Sequence, residues 1–189
     1  MIPCLVVGRT NADNNCFDGE AGVDLAYIND GANVTDLTFN SDRQVTAITV
    51  DATAGNGFKK VEFDDDTAFL NHEKTRAADG RGAITVATTF SFNIEGASTP
   101  DSNFLENLNQ FKALHAIVKD NNGKFSYVGI DYNPKTDTWK HSKLRTAAGS
   151  KNSGANPTND LAEYVETLTC TSNWYSREYI GEESAIPVT

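Results

Sequence analysis

Residues 82–95 alternate without a break: Ile84, Val86, Thr88, Phe90, Phe92 and Ile94 fall on one side, and Thr85, Ala87, Thr89, Ser91 and Asn93 on the other. A period of two marks a β-strand, whose successive side chains leave on opposite faces. The stretch therefore predicts one strand with an apolar core face and a small-polar face that is wet or lines something. Its fourteen residues span on the order of 45 Å at about 3.3 Å each, where a usual strand has about five or six residues. Such a strand overhangs a domain of 189 residues and needs a partner surface.

The flanking sequence fits a β-rich chain. Lys59 to Arg76 reads as the other arm of one long hairpin, joined through Ala77-Ala-Asp-Gly-Arg-Gly82, a loop with two glycines. Asp24 to Ile28, closed by Asn29-Asp30-Gly31, and Arg43 to Val50, rich in β-branched residues, predict two strands. Thr99-Pro-Asp-Ser-Asn103 supplies caps and a first-turn proline, with Glu106 three residues after Asn103. Phe104, Leu108 and Phe111 follow at helical spacing with Leu105 alongside, so one flanking helix is expected over about residues 101–114. His115 to Asp120 and Lys124 to Asp131 flank Asn121-Asn-Gly123, and Asn-Gly is the strongest short hairpin signal.

Residues 133–159 carry Lys135, Lys140, Lys143, Arg145 and Lys151 among Gly, Ser, Asn and Thr, and predict a long exposed basic loop. Leu161 to Ser172 predicts a last long strand, and residues 174–189 an acidic C-terminal tail. The expected fold is mainly β: a single domain over residues 1–189, of sandwich or tube-forming barrel type, with one helix and long hairpins.

Sixteen Lys and Arg against 26 Asp and Glu give a net charge of −10. That balance argues against gripping nucleic acid through its phosphates and against docking on an anionic membrane. No run approaches the roughly 18 apolar residues that span a bilayer. The opening Met1-Ile-Pro-Cys-Leu-Val-Val-Gly8 has no basic leader or small-residue cleavage site, so a secretory signal is not expected. Cys4, Cys16 and Cys170 are odd in number and lack CxxC spacing, which fits reduced thiols. The sequon at Asn33 then carries no glycan.

Motifs for chemistry are sparse. His72, His115 and His141 sit in no zinc-binding pattern. Asp64-Asp65-Asp66 on a strand would split between two faces, so it reads as a solvated acidic patch. Asp13 to Glu20 is oxygen-rich but lacks the ligand spacing of a calcium loop. No GxSxG, Walker A or GxGxxG occurs, and Gly80-Arg81-Gly82 sits at a hairpin tip rather than at a phosphate-binding turn. No enzymatic activity, cofactor or metal is expected.

The order of elements is more informative than any motif. The run Leu114-His-Ala-Ile-Val-Lys-Asp-Asn-Asn-Gly-Lys-Phe-Ser-Tyr-Val-Gly129 follows an amphipathic helix and a long Thr/Phe hairpin arm. Before them stand Asp24-Leu-Ala-Tyr-Ile28 and the strand Val45 to Val50. After them come Ala148-Gly149, Gly154, Asn159-Asp160 and Tyr164 to Thr169. Across roughly residues 20 to 172 this series resembles the tail-tube proteins of tailed bacteriophages, part of the wider group of tube-forming proteins that also serves contractile injection systems.

The resemblance implies a virion protein made in the host bacterial cytoplasm. It implies a β-sandwich that assembles into six-fold rings with a continuous inner barrel, stacked into a tube that conducts DNA without binding it specifically. The implied partners are further copies of the chain and other tail or neck proteins. An acidic lumen suits that role, since it repels phosphates where cationic walls would hold them. The segment from Lys135 to Lys151 is longer and more charged than the family's usual counterpart, which leaves open the main tube subunit and a specialised ring such as a terminator or neck ring.

On this reading Asp79, Gly80 and Arg81 at the hairpin tip reach a neighbour. Thr85, Ala87, Thr89, Ser91 and Asn93 line the lumen or an intersubunit contact, and Lys140, Lys143 and Arg145 meet another ring. The alternative is a carbohydrate-binding or adhesin-like sandwich, in which Tyr132, Trp139, Trp174, Tyr175 and Tyr179 stack on sugars.

Overall fold

A computed structural model describes residues 22–63, 67–76, 84–95, 99–133, 135–152 and 163–189. Their strands are β1 (Val23–Asp30), β2 (Val34–Phe39), β3 (Val45–Val50), β4 (Lys59–Glu62), β5 (Ala68–Arg76) and β6 (Ile84–Glu95), then, after the helix α1 (Thr99–Leu108), β7 (Leu114–Asp120), β8 (Phe125–Val128), β9 (Ile130–Asn133), β10 (Thr138–His141), β11 (Arg145–Asn152), β12 (Glu163–Ser172) and β13 (Arg177–Tyr179). They form a seven-stranded sheet in the order β2-β3-β13-β8-β7-β1-β4, a four-stranded sheet in the order β11-β12-β6-β5, and the pair β10-β9. The expected mainly β class is the one observed.

The two larger sheets pack face to face. Phe90 and Phe92 of β6, with Tyr164, Leu168 and Cys170 of β12, share one core with Ala26 and Ile28 of β1, Ala116 and Val118 of β7, and Leu105 and Leu108 of α1. The far side of the seven-stranded sheet holds a second core, built on Leu25, Tyr27, Val45, Phe58, Ile117, Tyr127, Tyr179 and Ile186. Strands β1 and β7 are thus buried on both faces, which accounts for apolar runs that do not alternate.

Most of the expected elements form, with corrections at five places. Lys59 to Arg76 is not one arm: β4 pairs with β1 and only β5 pairs with β6, so the segment passes from one sheet to the other. The apolar phase explains the break. Val61 and Phe63 pack on the core at odd positions, whereas Ala68 and Leu70 do so at even ones, and a continuous strand cannot change faces by one residue. Helix α1 ends at Leu108 rather than near 114, because Leu114 is already extended and donates its N–H to the Leu144 carbonyl at 2.6 Å.

The segment 133–159 is not a loop over its described part. Trp139 of β10 lies opposite Tyr132 of β9, and β11 pairs with β12 from Arg145 to Asn152. Ladder hydrogen bonds hold these strands, so one buried apolar side chain, Leu144, suffices between them. The acidic C-terminal segment is not a tail: β13 lies between β3 and β8 within the large sheet, and Phe58 donates its N–H to the Pro187 carbonyl. Tyr27 donates to Glu183 at 2.6 Å, and Lys119 pairs with the same carboxylate at 3.1 Å.

The Asn-Gly hairpin forms as expected between β7 and β8, but its second arm does not run on to Asp131: it stops at Val128, Gly129 takes φ of +105°, and β9 pairs with β10 instead. Gly123 takes φ of +77°, and Asp120 Oδ1 accepts from the N–H groups of Asn122 and Lys124.

Because Tyr179 is buried within the large sheet, Tyr179→Ala is expected to cost about 3–5 kcal/mol, the usual range for truncating a buried aromatic ring. Urea unfolding followed by tryptophan fluorescence measures this, and a cost below 1 kcal/mol would contradict an integral place for the C-terminal segment.

Candidate assembly surface

The four-stranded sheet turns one face to the core and the other to solvent. Strand β6 buries Val86, Thr88, Phe90 and Phe92 and exposes Thr85 and Ala87. Its outer row continues into its neighbours. Ser91 lies opposite Thr167 and Phe69, Thr89 opposite Thr169 and Asn71, Ala87 opposite Thr171 and Glu73, and Thr85 opposite Thr75. Strand β11 extends the face with Arg145 beside Thr169, Ala148 beside Thr167 and Ser150 beside Val165. The result is a broad surface of hydroxyls and small side chains carrying the carboxylates of Glu73 and Glu163, with Arg145 as the one cation on its described residues.

Local hydrogen bonds fix this face. Ser91 Oγ lies 3.1 Å from Thr167 Oγ1, and Asn93 Nδ2 donates to Glu163 Oε2 at 3.2 Å. Ser91 is itself buried and Thr89 and Asn93 are half-buried, so Thr85 and Ala87 are the most open of the five candidate lining residues. Phe69 stands out on this face, 54% exposed. Both outermost strands, β5 and β11, have an unpaired edge among the described residues.

The remaining candidates separate. Asp79, Gly80 and Arg81 lie outside the described residues. Lys140 sits on β10, away from the four-stranded sheet, 3.6 Å from Asp131. Lys143 occupies the connection from β10 to β11 with φ of +58°. Arg145 alone of the three basic candidates joins the small-polar face.

The aromatic candidates also divide. Tyr132 and Tyr179 are core residues, whereas Trp174 and Tyr175 are exposed. Trp139 and Trp174 line one groove together with Asp131, Asn133 and Asn173. Asp131 there accepts from the Asn173 backbone N–H at 3.1 Å and from Asn173 Nδ2 at 2.8 Å.

A buried polar chain that no motif announced lies beneath β10. His115, fully buried, places Nδ1 2.7 Å from the Tyr127 hydroxyl and Nε2 2.8 Å from Nδ1 of the exposed His141. Gly129 and Gly31 face the His115 ring, where a Cβ on Gly129 would also lie 2.4 Å from the Leu114 carbonyl. Burial, helped by the charge of His141, depresses His115 to about 3. His72 is held separately between Thr88 and Ser176. Neither arrangement brings a third ligand, and among the described residues no group of three His, Cys, Asp or Glu side chains is placed to hold a metal ion. Cys170 is free and buried, and burial pushes its thiol up.

No helix of the described residues is long and apolar enough to cross a membrane. Comparison with protein-family models and with curated protein sequences finds no match to this chain.

The depressed His115 pKa gives a signed pH dependence. The unfolded chain binds a proton near 6.5 and the folded one only near 3, so protonation favours unfolding between those values. The stabilising contribution of the neutral ring is complete above pH 6.5 and falls away as the pH drops toward 3, with about 2 kcal/mol lost by pH 5. NMR of the imidazole resonances should show His115 not titrating above about pH 4.5, and the urea midpoint should fall more from pH 7 to 5 in the wild type than in His115→Gln. A His115 resonance titrating near 6.5 would refute this.

Proposed function

We propose that this chain is a structural subunit of a phage tail or neck that assembles into rings around a DNA conduit. One observation carries the proposal: a four-stranded antiparallel sheet with a small-polar solvent face and two unpaired edges. An exposed strand edge is a template for pairing, and closure into a barrel is the standard way to remove it. Strand directions alternate through the sheet, so β11 of one copy meets β5 of the next antiparallel. Head-to-tail addition of that kind closes into a ring when the rotation per copy permits.

Six copies supply twenty-four strands. At about 4.8 Å between strands the circumference is about 115 Å, and with the usual barrel tilt and an inward layer of small side chains the opening is about 40 Å. That width admits a DNA duplex. A wall of hydroxyls with carboxylates and few cations gives phosphates little to hold, so cargo slides.

The purified protein is expected to form rings with a central opening of about 40 Å in negative-stain micrographs at high concentration. A chain that stays monomeric by sedimentation at millimolar concentration would overturn the proposal.

The second reading, a carbohydrate-binding sandwich, draws on the groove between Trp139 and Trp174, whose Asp131, Asn133 and Asn173 offer polar groups beside two indole rings. It expects hits in a glycan array that are lost in Trp174→Ala, and an array without hits would remove it.

A further inference from the structure

Glu166 projects from the core-facing side of β12, in the row that holds Phe92 of β6 and Gly149 of β11. It is 4% exposed, and no hydrogen bond from the described residues reaches its Oε1. A buried carboxylate left in this state is costly unless a cation or donor reaches it. Burial pushes its carboxyl up, with the Thr146 hydroxyl pulling the other way. The nearest cation on the same face of β11, Lys151, lies instead over the Tyr164 ring at 5.2 Å.

The position of Gly149 gives the carboxylate a direction. A Cβ there would meet Glu166 Oε2 at 2.7 Å, so the Glu166 side chain extends across the backbone of β11 toward the open edge of the sheet. Glycine in the outermost strand is what leaves that path clear.

The opposite edge of the sheet carries the complement. On β5 the core-facing row reads Ala68, Leu70, His72, Lys74 and Arg76. Lys74 is exposed, 5.8 Å from the centre of the Tyr175 ring, and makes no ion pair among the described residues. We infer that Glu166 receives Lys74 of a second copy of this chain, delivered when β5 of that copy adds to β11.

Register supports that pairing. The Gly149–Glu166–Phe92 row ends at Ala68, the first residue of β5. Without stagger the next copy would place its own Ala68 beside Gly149. Barrel tilt of about 35–45° staggers strands by about one to one and a half residues each, hence about four to six over four strands. Only the direction toward later β5 residues retains pairing, because β5 begins at Ala68 and the described strand before it, β4, pairs with β1 in the other sheet. Four residues on is His72, already held by Thr88 and Ser176. Six residues on is Lys74, on the required face.

This inference rests on the ring reading, and its test separates the two. Ring assembly is measured by sedimentation for wild type, Lys74→Gln, Glu166→Gln and the double variant, with circular dichroism confirming that each subunit folds. Each single change is expected to raise the concentration for half-assembly at least about tenfold, with the double no worse than either single. The same register places Ala148 opposite Thr75 of the next copy. Ala148→Cys with Thr75→Cys, in a background with Cys4 and Cys16 replaced by serine, is therefore expected to give a bismaleimide ladder ending at the ring. Lys74→Gln rings that assemble at the wild-type concentration, or double-cysteine rings that give no ladder, overturn the pairing and leave the ring reading standing. Absence of rings in the wild type overturns both.

Discussion

The packing of β6 and β12 onto β1 and β7 is the contact on which the rest depends. Phe90, Phe92 and Leu168 are fully buried against Ala26 and Ala116, and the small residues on the large sheet make room for rings on the small one. Once that interface forms, the solvent side of β6 is fixed by parity: every residue opposite to a buried one must face out. The hydroxyl-rich surface therefore follows from the core that it covers. It also has a composition poorly suited to forming a second core.

Much of this was readable from residues, and the misreadings have physical causes. The alternation of 84–94 and the Asn121-Asn122-Gly123 turn are local signals, decided by side-chain period and by a single positive φ, and both appear as expected. The break between β4 and β5 was encoded too, in the change of apolar parity between Phe63 and Ala68. Composition is uniform along the segment, and only the phase of its apolar residues marks the break. The basic segment and the C-terminal stretch were misjudged for the opposite reason. Strand β11 obtains its order from the ladder with β12, and β13 from neighbours more than forty residues away in sequence. Neither source leaves a local apolar signature.

The outward row of β6 is legible in part. Thr85, Ala87, Thr89, Ser91 and Asn93 are grouped by alternation alone, and they share the outward side of the strand, open at Thr85 and Ala87, half-buried at Thr89 and Asn93 and buried at Ser91. Glu166 gave no signal, because one glutamate among 26 acidic residues is distinguished only by the burial that its strand imposes. The His115–His141 contact likewise joins two residues that no spacing rule connects, brought together because β10 folds back beside β7. Charge alone gives a coarse picture: the net −10 averages a small-polar surface with few cations and strands, β10 and β11, that are locally basic.

The placement of β13 has a consequence for synthesis. It is the last strand in chain order, yet it occupies the middle of the large sheet between β3 and β8. While residues 177–179 are still inside the ribosome, β3 and β8 are two sheet fragments with unsatisfied facing edges and an incomplete second core. The nascent chain must hold that open seam, with its exposed backbone, until residues 177–179 have emerged. Folding is then late, non-local and slow relative to helical chains of similar length. Premature association through the seam competes with proper closure, so the late synthesis of β13 is an aggregation hazard that the chain meets each time it is made.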